Sequence, residues 1–209
     1  MGHSVQQPAT FRAVVSLHLR PGTAPEFEQT WSRIAADVRT QPANRGQWLV
    51  ADAGDPERYE IVSDWQDEES FRAFERSEAH QGHRSLLAPF RKDVSMRTYA
   101  VRRAVALPER PADAEVYVLV PASAGHAEDV LATYRGISGE LAGTPGLSFN
   151  ALLRDVDHPR RYAVLSRWSG LEALRAFETD GRHDATAPLR RHRDDAAPAR
   201  TFEVVDSHE

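Results

Sequence analysis

Hydrophobic and polar positions along this chain change period in a fixed order, and the order occurs twice. From Phe11 to Leu19 apolar residues alternate, with Phe11, Ala13, Val15, Leu17 and Leu19 on one face, the period of a half-buried strand. Pro21 and Gly22 close it. Pro25 suits a first helical turn, and Phe27, Trp31, Ile34 and Val38 follow at helical spacing until Pro42. Residues 47–51 and 59–65 read as the strands of a hairpin joined by a polar turn, Asp52 to Pro56. From Asp67 the period is helical again, with Phe71 and Phe74 opposite Glu68, Glu69, Arg72 and Glu75, which predicts one helix as far as Pro89. A last strand, 94–101, completes a β-α-β-β-α-β unit.

The same order returns as a strand at 116–120, a helix at 127–141, a hairpin over 147–168, a helix at 171–189 and a strand at 201–205. Pro56, Arg58, Tyr59, Ser63, Trp65, Glu69, Arg72 and Phe74 recur as Pro159, Arg161, Tyr162, Ser166, Trp168, Glu172, Arg175 and Phe177, at an offset of 103 residues. That offset runs without a gap from residue 14 to 75, which marks duplication of a whole structural unit. The expected domains are 10–105 and 115–206, with a Pro-containing linker at 106–114. Each is a ferredoxin-like α+β unit, whose two helices lie on one face of a four-stranded sheet and leave the other bare. An equivalent sheet is the natural cover. The expected fold is therefore two tandem units packed sheet to sheet as an intramolecular dimeric α/β barrel around a small-molecule cavity.

Charge and composition narrow the function classes. A formal net charge of -5 argues against a general nucleic-acid binder, and the run Arg190, Arg191, His192, Arg193 is followed at once by Asp194 and Asp195, the pattern of a solvated helix face. Without cysteine there is no disulfide, thiolate or iron-sulfur chemistry. The first ten residues lack the pattern of a secretory signal, and no stretch supplies the ~20 apolar residues that cross a bilayer. A cytoplasmic protein with neither membrane nor nucleic acid as partner is expected.

The stretch Tyr59-Glu60-Ile61-Val62-Ser63-Asp64-Trp65, leading into a Glu-rich helix with Phe71 and Phe74 and then Ser77, His80 and His83, resembles the antibiotic-biosynthesis monooxygenase family. Tyr162 to Trp168, with Phe177 and His183, resembles it again. The resemblance implies a tandem two-domain member of the dimeric α/β barrel superfamily. It also implies a cofactor-independent monooxygenase of secondary metabolism that uses molecular oxygen to turn an anthrone-like aromatic polyketide into a quinone, with neither metal nor flavin. A homodimer of the fused pair is compatible with it. An aromatic polyketide cyclase on the same fold and a non-enzymatic small-molecule-binding protein are the alternatives. One branch of the family has an asparagine four residues before the strand tryptophan and a tyrosine six after it; this chain has Ile61 and Val164, then Phe71 and Leu174, at those places. Either histidines replace that proton shuttle or the reaction differs.

His80 and His83, with Trp65, are the catalytic candidates: the histidines could share a helix face and move a proton near neutral pH, or sit exposed at a fraying helix end. Trp65 and Trp168 offer rings on which a flat substrate could stack, or are repeated core aromatics. For substrate binding the further candidates are His183, Trp48, His18, Tyr134 and Asn150. His18 and Trp48 line the cavity if their strand faces look into the barrel and are surface residues otherwise. Tyr134 and Asn150 could hydrogen-bond a substrate carbonyl. No metal-ligand spacing, phosphate loop or nucleophile elbow occurs.

Overall fold

Each change of period becomes an element in the computed structural model, which describes residues 10–106, 116–123, 127–141, 143–194 and 197–208. The first series is β1 (Phe11–Leu19), α1 (Ala24–Val38), β2 (Asn44–Asp52), β3 (Asp55–Trp65), α2 (Glu68–Glu75), α3 (Glu78–Leu87), a 3-10 turn at Ala88–Phe90 and β4 (Arg91–Ala106). The second is β5 (Val116–Ser123), α4 (Ala127–Ser138), β6 (Leu147–Asp155), β7 (Arg161–Trp168), α5 (Leu171–Glu178), α6 (Gly181–Ala185), α7 (Ala187–Arg190) and β8 (Arg200–His208). Neighbouring strands run β4-β1-β3-β2 in the first series and β8-β5-β7-β6 in the second. Both are the ferredoxin-like α+β order, antiparallel where β1 meets β3 and β4 and where β5 meets β7 and β8.

Contacts divide the chain into two compact units. Of the described residues, one comprises those up to Ala51, Asp55–Ala100 and those from Val205; the other comprises Asp52–Gly54 and those within Val101–Val204. The linker expected at 106–114 lies, from residue 107 onward, outside the described residues.

In the first unit α1 lays Phe27, Trp31 and Ala35 against Leu17, Leu19, Leu49 and Tyr59 of the sheet. Tyr59 keeps its polar end satisfied by donating to Glu28 Oε1 at 2.7 Å. The sheet face away from α1 carries the alternate residues of β1, Arg12, Val14, Ser16 and His18. Arg12 grips Asp64 there with two parallel hydrogen bonds, Nη2 to Oδ2 at 2.7 Å, and Ser16 donates to Glu60. Arg12 is 2% exposed, so this ion pair is a buried one.

Two expectations need correction. The single helix over 67–89 is two helices, because the Ser77 hydroxyl accepts the backbone N–H of His80 and starts α3 afresh after α2 ends at Glu75. The second copy likewise breaks into α5, α6 and α7, with Asp180 capping α6. The offset of 103 also fails on the first strand. β1 pairs Phe11 with Trp65, whereas β5 pairs Val116 with Trp168, so β5 is displaced by two residues and Leu17 corresponds to Ala122. A shift of two keeps every side chain on its own face, which is why the alternation conceals it.

One glycine sets the approach of helix to sheet. Gly146, just before β6, has φ +77°, and a Cβ there would lie 2.4 Å from the Cβ of Ala173 on α5.

Candidate functional site

In the second unit the sheet and its helices do not close on each other. Between them lies a cavity of about 450 Å³, walled on the sheet side by Val118, Val120, Ala122, Val164 and Trp168 and on the helix side by Val130, Ile137, Leu174 and Phe177. The two copies explain the hollow. Where the first unit has Leu17, Phe27, Trp31 and Phe71, the second has the smaller Ala122, Val130, Tyr134 and Leu174. Phe27 and Trp31 are fully packed in the first unit, at 0% and 1% exposed. Together the exchanges remove about twelve heavy atoms from the core, and a packed interior closes only partly over such a loss.

Into this apolar space project a few polar groups. Tyr134, fully buried on α4, donates its hydroxyl to Oδ1 of Asn150 on β6. Asn150 pairs across the ladder with Ser166 on β7, whose Oγ accepts the indole N–H of Trp168 at 2.9 Å. Thr201 of β8 and His183 of α6 add to the polar lining, as do Glu178, Thr186, Arg190 and Arg193. His183 sits edge-on to the ring of Phe177, centroids 5.4 Å apart, and that ring in turn lies 4.9 Å from Trp168.

Burial holds the Tyr134 phenol well above the usual tyrosine range, against a weaker opposing pull from the Arg103 guanidinium. It is therefore protonated at neutral pH. With that proton given to Asn150 Oδ1, the Tyr134 oxygen can accept, while the Asn150 amide nitrogen is the donor of the pair. Among the described residues His183 is the one imidazole of the lining.

Four of the sequence candidates, Tyr134, Asn150, Trp168 and His183, thus meet around one cavity. The other five are in the first unit and take no part in its lining. Trp65 is 1% exposed, stacked 4.9 Å from Phe74, with its indole N–H on Ser63. His80 packs edge-on to Phe74 at 4.9 Å, and burial, reinforced by the nearby Arg84 charge, lowers its pKa. His80 and His183 are therefore true counterparts, each set against the phenylalanine that packs on its strand tryptophan. His83 instead turns to α1, with Nε2 2.9 Å from Asp37 Oδ2. His18 lies 3.2 Å from Glu57 Oε2, a carboxylate that also takes Lys92 at 3.0 Å, so the polar side of β1 uses it in an ion cluster. Trp48 is buried under the Arg12 guanidinium at 5.9 Å. Among the described residues no group of three or more potential metal ligands occurs, and no helix is long and apolar enough to cross a membrane.

Sequence reasoning passed over Ser166, Thr201, Arg190 and Arg193. Ser166 carried a signal, the Ser-x-Trp spacing that recurs as Ser63 and Trp65. The location of the hollow was also readable, since side chains shrink from the first copy to the second at Phe27 and Val130.

Comparison with known proteins adds the following. Residues 10–85 match the family model described as antibiotic biosynthesis monooxygenase. Among solved structures, a candidate monooxygenase from Fusobacterium nucleatum subsp. nucleatum superposes with a TM-score of 0.77 at 9% identity, over 98% of this chain and 96% of that one. One from Lactobacillus acidophilus NCFM gives 0.73 at 9% identity, over 95% and 94%. A structure described as an anthrone oxidase-like protein gives 0.66 at 12% identity, over 97% and 94%. At such identities these likenesses establish the fold across both halves. A comparison with curated proteins gives no match.

Proposed function

We propose that this chain, whose residues 10–85 match the antibiotic-biosynthesis-monooxygenase family model, is itself a cofactor-independent monooxygenase that oxidises an electron-rich, anthrone-like phenol in the cavity of its second unit. The single observation that carries this reading is the meeting of an imidazole, a phenol–amide pair and an indole in a cavity of about 450 Å³ with mainly apolar walls, room enough for a fused aromatic ring system. The likeness to an anthrone oxidase-like protein supports the same substrate class.

The chemistry asked of the protein is modest. A phenolic substrate lies flat along the Trp168 side, and the Asn150 amide donates to its carbonyl. His183 removes a proton from the reacting CH₂, leaving an electron-rich anion whose charge spreads into that carbonyl. Molecular oxygen takes up the electrons; one oxygen atom becomes the new C=O and the other leaves as water. Tyr134 stays protonated and works as a fixed dipole, so His183 is the base. The apolar walls keep bulk water from protonating the anion.

The test is oxygen uptake by chelator-treated protein with 1,8-dihydroxyanthrone, together with product mass. A gain of oxygen is expected, and His183→Ala should lower kcat by about 100-fold or more. No uptake, uptake unchanged in His183→Ala, or a product that has only lost water would refute the reading; the last would indicate a cyclase.

A further inference from the structure

The basic run 190–193, which in sequence reads as a solvated face, is divided by the fold. Arg191 and His192 turn toward α4: Arg191 Nη2 donates to Thr133 Oγ1 at 2.8 Å and Nε to His192 Nε2 at 3.1 Å. The backbone is fastened to β5 as well, through Ser123 N–H to His192 C=O at 2.7 Å and Asp194 N–H to Pro121 C=O at 3.2 Å. Arg190, the last residue of α7, and Arg193, bridged to Ala122 of β5, are thereby left at the cavity and belong to its lining, with both side chains open to solvent. Neither makes an ion pair or side-chain hydrogen bond among the described residues. By contrast Arg12, Arg72 and Arg200 are each held by a carboxylate.

We infer that Arg190 and Arg193 form an anion anchor at the mouth of the cavity, so that the ligand is an aromatic ring system bearing a carboxylate or phosphate that projects outward while the rings lie inside. This rests on the cavity reading above and extends it to the class of substrate. Two guanidiniums offer the forked donors that match a carboxylate or phosphate, and being solvated they lose little on pairing. Glu178 also lines the cavity and opposes them; the anchor works because two cations outweigh one anion there.

The probes are 1,8-dihydroxyanthraquinone, its 3-carboxylic acid, and the phosphate ester of its 3-hydroxymethyl derivative, titrated against the full chain by quenching of tryptophan fluorescence at low and moderate salt. The wild type should bind the two anions at least tenfold more tightly than the neutral parent, and salt should shrink the difference. Arg190→Gln/Arg193→Gln should lose that preference while holding the neutral ring as before, Arg190→Lys/Arg193→Lys should keep part of it, and Glu178→Gln should enlarge it. A larger gain for the phosphate points to a phosphorylated carrier arm, a larger gain for the carboxylate to a free acid, and either supports the anchor. Equal affinity for all three probes, or a preference that survives in the double glutamine variant, overturns the anchor and leaves the cavity reading standing. Binding of none of the three overturns both.

Discussion

If the hollow of the second unit exists because that copy lost bulk, restoring part of the bulk should shrink it. The perturbation is Val130→Phe with Ala122→Leu, which writes the Phe27 and Leu17 of the first unit into the second. A phenyl ring for an isopropyl group and an isobutyl group for a methyl group together add roughly 125 Å³, so at about 24 cal/mol per Å³ of void removed the ceiling on stabilisation is about 3 kcal/mol. That fill is over a quarter of the 450 Å³ cavity. Imperfect fit in a site shaped around other side chains offsets part of the gain, leaving about 1–2 kcal/mol. For a chain of this length that is a rise in Tm of about 2–8 °C. The assay pairs urea denaturation with a titration of 1,8-dihydroxyanthraquinone, and affinity should fall at least tenfold as the rings lose their space. The reverse exchange, Phe27→Val, should cost about 1–3 kcal/mol, because nothing else fills its place in the first unit. A filled variant that is less stable than wild type and still binds the quinone would refute both the equivalence of the copies and the origin assigned to the cavity.

Further outcomes follow from buried charge and buried phenol. Asp64→Asn leaves the Arg12 guanidinium buried without its carboxylate and should destabilise the protein by about 3 kcal/mol, read as a lower urea midpoint; an unchanged midpoint would show that the ion pair adds nothing. Burial, reinforced at Tyr59 by the Glu28 carboxylate, raises the pKa values of Tyr59 and Tyr134. Below pH 10 their contribution is fully present; above it the unfolded chain releases these protons first, so stability should fall as pH rises from 10. Tyr134→Phe should show a shallower decline between pH 9 and 11 than wild type, and an equal slope would count against the assignment.

Period and punctuation carried most of the fold. Alternation from Phe11 and helical spacing from Phe27 depend on local geometry, and both elements stand where those residues place them. The breaks inside the second helix of each copy were less visible, because Ser77 and Asp180 become caps only when the backbone turns out of the helix to use them. The site was legible in part. Tyr134, Asn150, Trp168 and His183 belong to one copy and converge because strand parity and helix phase aim them at one space. His83 illustrates the opposite case: three residues from His80, it turns to a carboxylate on a neighbouring helix, a partner that spacing along its own helix does not reveal. The mouth escaped notice because a row of four basic residues looks uniform as letters. Only the hydrogen bonds made with Thr133 and the β5 backbone divide it into inner and outer members.

The exchange of Phe27 for Val130 has a bearing on how such a chain can evolve. In an assembly of two identical polypeptides every mutation is inherited by both partners, so a change that widens one pocket also loosens its twin. Covalent fusion breaks that constraint. One half can keep its full complement of ring systems and lend rigidity, while the other is free to trade packing for room.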